Sequence, residues 1–550
     1  MPTEPVSATS ATRRLRADLA EDEAPPPPPT LALLAWVAMA AGFVLACAGN
    51  LDLGPAESRL AMAVGSPLGP YGQVFGKWEP GIWPAQVAAC RLWAWGEGGR
   101  PTSASLRWPA ALAGLLLGAI LARRQDQALG TRAGVTLGLA WFGSLALIDR
   151  SAILGVDLVA ALGLVAALDR LLGKGSGIVA GLWAALAFLA GGWPPLAILG
   201  LSTVVLGREN AKFSWRLALP PAIAFAGWTA WAWAVAPADR RFTAWATALS
   251  LPLTKSPDWT LGLEVIGLGL PWAPLAALAA WKSTRGSWPE EGKALVIGWL
   301  QVAGAAILAG TLIPGLGEAA RLPALAGLAV AAAAVVDLAW SEKLRDSPRR
   351  ATLAIVAGLS LLWSLAAVFG GVKLVSEIAY YRPIGLVLAA VAVLTLGLAL
   401  ASAWCGRTRW AIGAVLGIAL SLKLVHAGYY VPEWNYLFSQ GKWGRAIGQW
   451  VPPRWPIYTF HDWPADLAFA TGHPVRQLND ERQLSTQPEP GPKFVLLLPA
   501  EFEHWRRGAP KLLKIRDFQD ARGDTRVLAR TEGEYAWYKL VKEARDRDKE

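Results

Sequence analysis

The sequence predicts a polytopic α-helical membrane protein of about thirteen transmembrane helices, ending in a small extracytoplasmic α/β domain. Three observations predict it. The 550-residue chain is 54% hydrophobic and 17% charged, with a positive mean hydropathy, too apolar for a soluble protein of this length. Apolar runs close to the ~20 residues that cross a bilayer recur as far as residue 427. After residue 428 the pattern changes to short strand-like and helix-like segments.

Residues 1–30, polar and ending in a run of prolines, read as a disordered, PPII-like cytoplasmic tail. The tail is too long and too acidic in its second half for a signal-peptide n-region, so residues 31–49 are a retained first span. The transmembrane region extends over 31–427, with a first extracytoplasmic loop at 50–106. The later runs lie near 107–122, 133–148, 152–171, 176–190, 194–207, 216–236, 261–281, 294–313, 321–340, 351–371, 383–404 and 408–427.

With the N-terminus in the cytoplasm, the links holding Arg123, Arg124 and Arg132, then Arg208, Lys212 and Arg216, then Lys282 and Arg285, all fall inside. So do Lys343, Arg345, Arg349 and Arg350, and finally Arg407 and Arg409, as the positive-inside rule requires. The localisation expected is therefore the plasma (inner) membrane, with 428–550 outside. The net charge of +11 is spread over these links and forms no stripe, so no nucleic-acid partner is expected. Almost no charge falls at mid-bilayer, which argues against an ion-coupled transporter and favours a cavity at the outer surface.

The C-terminal part opens with the aromatic, amphipathic stretch YYVPEWNYLFSQGKWGRAIGQWVPP. Strands are expected at PIYTF, PVRQL, KFVLLLP, TRVLAR and YAWYKLV, and a helix at WPADLAFATG. His426, His461, His473 and His504 read as surface or strand-end residues without metal spacing. Cys47, Cys90 and Cys405 lie too far apart to signal a zinc site or a disulfide framework. No metal site is readable and the cofactor is unknown, with a divalent metal left open. Most of the thirty tryptophans suit the water–lipid boundary, while Trp78, Trp83, Trp193 and Trp272 are placed to line an outer cavity.

Several segments carry a resemblance. PAESRLA, GKWEPGIWP, RWPAALAGL (107–115), DRSAILGVDL (149–158), LAGGWPPLAIL (189–199), LGLPWAPL (268–275) and RLPALAGLA (321–329) occur in an order that resembles the GT-C membrane glycosyltransferases. The branch they resemble is that of the aminoarabinose and protein O-mannosyltransferases. The resemblance implies a GT-C-like transmembrane domain and transfer of a sugar from a polyprenyl-phosphate-linked donor to an acceptor on the outer face. Membrane lipids and that donor are the partners it implies.

The family pattern after the first span, roughly Asp-Glu-x-Arg-Tyr-Ala, is matched here by Ala56, Glu57, Ser58, Arg59, Leu60 and Ala61, so the first acid is missing. Its Lys-Pro-Pro-Leu element is reduced to Lys77 and Pro80, and its Lys-Gly-Pro element to Gly191, Gly192 and Pro194. The resemblance then leaves two readings: an active transferase, or a catalytically weakened relative that binds lipid-linked sugars as a scaffold or partner.

Such a reaction needs a carboxylate to take the acceptor's proton and cations to hold the leaving phosphate. Glu57 is the surviving acid of the motif; its plain alternative is a solvated loop carboxylate paired with Arg59. Asp52 is a further acid, better read as a helix cap. Asp157 falls about two turns from Arg150, within its span, where a carboxylate without a purpose is costly. Glu57 and Asp157 are therefore the catalytic candidates. Arg59, Lys77, Arg150, Arg240, Arg241 and Arg321 are the substrate-binding candidates, suited to a phosphate or, equally, to anionic lipid head groups. Glu79 and Glu264 read as interfacial.

Overall fold

The computed structural model describes residues 40, 58, 60–61, 73–74, 77–78, 83–96, 103–147, 156–173, 175–206, 215–235, 241–242, 245, 257–452, 455–460, 465–487, 491–505, 509–519 and 523–532. The predicted tail, the first span and the strand at YAWYKLV lie outside them.

A two-residue hairpin, β1 (Gln73–Val74) and β2 (Lys77–Trp78), precedes α1 (Pro84–Gly96). The membrane region follows with α2 (Ser103–Leu129), α3 (Thr131–Phe142), α4 (Val156–Leu172), α5 (Gly177–Gly191), α6 (Pro194–Val205) and α7 (Trp215–Val235). After α8 (Leu261–Leu268) and α9 (Ala273–Ala280) come α10 (Glu290–Leu312), α11 (Gly317–Trp340), α12 (Asp346–Glu377), α13 (Arg382–Cys405) and α14 (Thr408–Val425). Among the described residues six helices are long and apolar enough to cross a membrane, or seven if the bent pair α8–α9 is one span. The chain is a multi-pass membrane protein by this measure.

Two predicted spans differ in detail. The run at 133–148 is helical to Phe142, then turns at Gly143–Ser144 before resuming. The run at 261–281 is bent by 108° between α8 and α9. Gly269 and Pro271 stand in that break, where a proline removes a helical donor and the chain can turn.

Helix α11 is the central post, with 94% of its most apolar window buried. Its sequence, RLPALAGLAVAAAAVVDLA, is built of small residues, which let neighbouring backbones approach closely. Gly327 shows why: a Cβ there would sit 2.3 Å from the Trp299 carbonyl oxygen of α10. Close approach recurs at Gly163 of α4 against Ala187 of α5, and at Gly181 of α5 against Leu217 and Pro220 of α7.

One end of the bundle is pinned by polar contacts. Arg132 Nε lies 2.5 Å from Asp337 Oδ1 and Arg132 Nη2 donates to Ser341 Oγ at 3.1 Å. Thr408 Oγ1 donates to the Ala339 carbonyl at 2.6 Å, and Arg409 pairs with Glu342 at 3.4 Å. Three of the basic links predicted to share the cytoplasmic side thus meet at the same end of the molecule.

Beyond α14 the helix continues through a π-helical turn, His426–Tyr430, into α15 (Val431–Leu437), ten residues past the predicted end at 427. Then come α16 (Gly441–Gly448), β3 (Ile457–Thr459), α17 (Ala465–Ala470), β4 (Val475–Gln477), β5 (Phe494–Leu497), α18 (Pro499–Glu503), β6 (Leu512–Gln519) and β7 (Thr525–Thr531). The five strands form one sheet in the order β4-β3-β5-β7-β6. The β4-β3-β5 part is parallel and the β5-β7-β6 part antiparallel. Parallel strands need crossovers, and α17 supplies the one between β3 and β4. Strand β6 was not foreseen: LLKIRDFQ alternates poorly, because it lies at the sheet edge with both faces partly exposed.

The histidines depart from a simple surface reading. His426 is buried in the π-helical turn, and His473 lies half-buried with Nδ1 3.1 Å from the Trp455 carbonyl and Nε2 3.0 Å from that of Gly448. His504 is exposed, with Nδ1 2.8 Å from the Ala500 carbonyl, and His461 lies outside the described residues.

Candidate functional site

Three residues of the motif PAESRLA are described, Ser58, Leu60 and Ala61. They are helical and buried, at 0%, 3% and 0% exposure. Glu57 and Arg59 themselves lie outside the described residues, as do Arg150 and Arg240.

The next part of the site is the turn between α5 and α6. Gly192 has φ +76° and ψ −154°, a region open in practice to glycine alone. Trp83 covers it: a Cβ on Gly192 would lie 2.3 Å from the Trp83 ring. Pro194 then starts α6 at a position where a missing N–H costs nothing. One residue beyond the reach of that ring, Gln86 Nε2 donates to the Ala190 carbonyl, so α1 is tied down on the turn. Trp83 also meets Phe188 and Trp228 at centroid distances of 5.7 and 5.3 Å. Trp245 joins this cluster and lies 3.5 Å through Nε1 from Thr229 Oγ1. It brings with it the segment of Arg241, which is half-buried and helical.

Helix register places Asp157. A Cβ on Gly191 would be 2.8 Å from Ala160 Cβ, so Ala160 is level with the end of α5. Asp157 is the second residue of α4, about one turn from Ala160 toward the start of that helix. Lys77 opens β2, facing Val74 across a tight hairpin. The side chains of Asp157 and Lys77 are not among those described.

Two basic residues were read incompletely from sequence. Arg107, near the start of α2, is 1% exposed, a buried cation at the end of the bundle opposite Arg132 and Asp337. Its neighbour Leu106 accepts a long contact from Cys90 Sγ at 3.6 Å, joining α1 to α2, and burial pushes the Cys90 thiol up to about 12. Arg321 lies between two acids. Its Nε and Nη2 donate to Glu264 Oε2 at 3.0 and 2.8 Å, and Nη1 lies 2.6 Å from Glu318 Oε1. Glu264 is therefore an ion-pair partner and not merely interfacial. With two carboxylates on its fork, Arg321 is already compensated in charge.

Of the four tryptophans set at an outer cavity, Trp83 is the floor of the α5–α6 turn and Trp272 is core, 2% exposed. Trp193 is half-buried in the turn, and the Trp78 side chain is not described. Among the described residues no three His, Cys, Asp or Glu side chains converge on a metal position.

Broken helices, a tethered α1 and a sheet after the last helix make up a fold that the chain shares, over nearly its whole length, with solved structures of a multi-pass membrane protein. In particular, the chain is similar to ArnT from Cupriavidus metallidurans in the apo state, with a TM-score of 0.67 and 17% identity over 91% of this chain and 98% of that one. It is similar also to the same protein bound to undecaprenyl phosphate, with a TM-score of 0.65 and 16% identity over 90% and 97%. No protein-family model and no curated protein sequence matches the chain.

Proposed function

We propose that the chain is a membrane glycosyltransferase that moves a sugar from a polyprenyl-phosphate-linked donor to a lipid, glycan or protein acceptor at the outer face. The observation that carries this reading is the likeness in fold, over nearly the whole chain, to ArnT bound to undecaprenyl phosphate. In this reading about thirteen spans cross the plasma membrane and residues 428–550 stand outside it.

Glu57 takes the proton of the acceptor hydroxyl. The hydroxyl oxygen forms the new bond to the anomeric carbon as the bond to the phosphate oxygen breaks, and the electron pair leaves with the polyprenyl phosphate. Arg59, Lys77, Arg150, Arg240 and Arg241 are the cations for that leaving phosphate, with Arg321 steadied by Glu264 and Glu318 behind them. Asp157 helps to orient the acceptor or a cation. The helical, buried setting of Ser58, Leu60 and Ala61 supports an ordered segment at this motif.

Ala56, where the resemblance calls for an acid, favours the second reading, a weakened relative that binds lipid-linked sugars without turning them over. A transfer assay with a polyprenyl-phosphate sugar separates the two. An active parent that loses turnover but keeps donor binding in Glu57→Gln supports the enzyme, because general-base assistance is worth roughly a hundred- to ten-thousandfold. A parent that binds donor without transfer, and gains none in Ala56→Asp, supports the scaffold. Failure to bind any polyprenyl phosphate overturns both.

A further inference from the structure

The segment after the last predicted span carries a row of rings that the transfer reaction does not use. His426, Tyr430, Trp434 and Phe438, four residues apart along one helical face, stack in succession at 5.3, 5.9 and 5.0 Å. Beside them Tyr380, Tyr381 and Tyr429 meet at 5.1 and 5.2 Å. Large apolar groups here remain exposed, among them Tyr436 at 66%, Phe438 at 45% and Trp450 at 43%.

Their depth can be read from the neighbouring helix. The 24 residues of α13 rise ~36 Å, enough to cross the hydrocarbon and reach both boundaries. Tyr381 caps its outer end and is hydrogen-bonded to Glu433, which fixes residue 433 at the outer boundary. Residues 436–438 then stand only ~5–8 Å farther out, within the head-group layer. Rings with one apolar and one polar side prefer that layer.

Charge lies on the same ledge. Lys442 sits over the Tyr436 and Trp443 rings at 6.0 and 5.7 Å. Lys442, Arg445 and Gln449 share the exposed face of α16, while Gly444 and Gly448 pack their other face on Leu467, Ala470 and Thr471 of the sheet layer. Arg516, on the edge strand β6, covers Trp450 at 5.3 Å. The face turned away from the sheet is thus aromatic and cationic, and continuous with a membrane-spanning helix.

We propose that residues 434–450, with Arg516, form a docking ledge that seats the C-terminal sheet on the anionic head-group layer of the bilayer. The rings lie among the glycerol and head groups, and Lys442, Arg445 and Arg516 meet lipid phosphates. The consequence is a sheet held at fixed height over the bundle's outer end.

The test uses the full chain with its cysteines replaced, Phe438→Cys carrying a bimane probe, in vesicles of phosphatidylcholine with or without phosphatidylglycerol. A nitroxide on the lipid head group should quench the probe more than one deep in the acyl chain. Phosphatidylglycerol should strengthen that quenching roughly twofold, and the gain should vanish in Lys442→Gln/Arg445→Gln/Arg516→Gln. The same probe at Tyr436→Cys guards against an effect of the Phe438 substitution alone. Quenching by aqueous iodide but by no lipid nitroxide, at both sites, would overturn the proposal. So would protection of the probes by a soluble saccharide in place of lipid, which would make the ring row a carbohydrate platform.

Discussion

Gly192 is the residue on which the turn between α5 and α6 depends. Its backbone conformation excludes side chains, and the Trp83 ring fills the space that a Cβ would need. Gly192→Ala is expected to cost roughly 2–5 kcal/mol, from backbone strain and overpacking together, read as a lower unfolding temperature in detergent. Gly191→Ala, at a helical φ but facing Ala160 at 2.8 Å, should cost less. Cys90 gives a pH signature nearby. Burial raises its thiol from 9.0 to about 12, so the neutral form is the one that folding favours. That contribution is complete below 9.0 and is lost as pH rises toward 12. Iodoacetamide at pH 9 should therefore leave Cys90 unmodified in the folded chain and modify it after denaturation, as peptide mass analysis would show. At this scale the sequence offers candidates where a motif names its residues: Glu57 and Arg59 stand out in PAESRLA, and both lie outside the described residues. What it did not disclose are the contacts between segments distant in the chain. Gly192 beneath Trp83, or Arg321 between Glu264 and Glu318, have partners set by helix register, which no local pattern encodes.

Helices α3 and α11 illustrate what hydropathy can and cannot tell. The apolar run 321–340 is legible as a span, and its alanines and glycine announce close packing. The acid within it, Asp337, finds Arg132 of α3, more than 200 residues earlier. Arg132→Gln and Asp337→Asn should each destabilise the fold by roughly 1–3 kcal/mol, since each leaves the other charge without its partner. The double variant should lose less than the sum of the two, a coupling that a double-mutant cycle in detergent would measure. The break at Gly269–Pro271 was hidden in the same hydropathy signal, because a window of apolar residues has no direction. The edge strand β6 was missed for the complementary reason: a strand exposed on both faces shows no clear alternation.

At the scale of the whole molecule, the span order and the basic links agree with a bundle whose Arg132, Glu342 and Arg409 contacts gather at one end. Asp157, the Gly191–Pro194 turn and the Arg241 segment stand at the opposite end. Cys405 is exposed at the first of these ends, at the close of α13. In a Cys47→Ser background it should resist a membrane-impermeant maleimide in intact cells and react once the membrane is opened. Immediate labelling would reverse the orientation. The proposed function requires a polyprenyl phosphate at the end of the bundle that holds Asp157 and the Gly191–Pro194 turn. Photo-crosslinking of the purified chain with a diazirine-bearing polyprenyl phosphate, followed by peptide mapping, tests it most directly. Adducts are expected within residues 53–84, 188–194 and 240–245, and competition by unlabelled polyprenyl phosphate should remove them. Adducts confined to the end that holds Arg132 and Arg409, or adducts that unlabelled lipid does not displace, would contradict it.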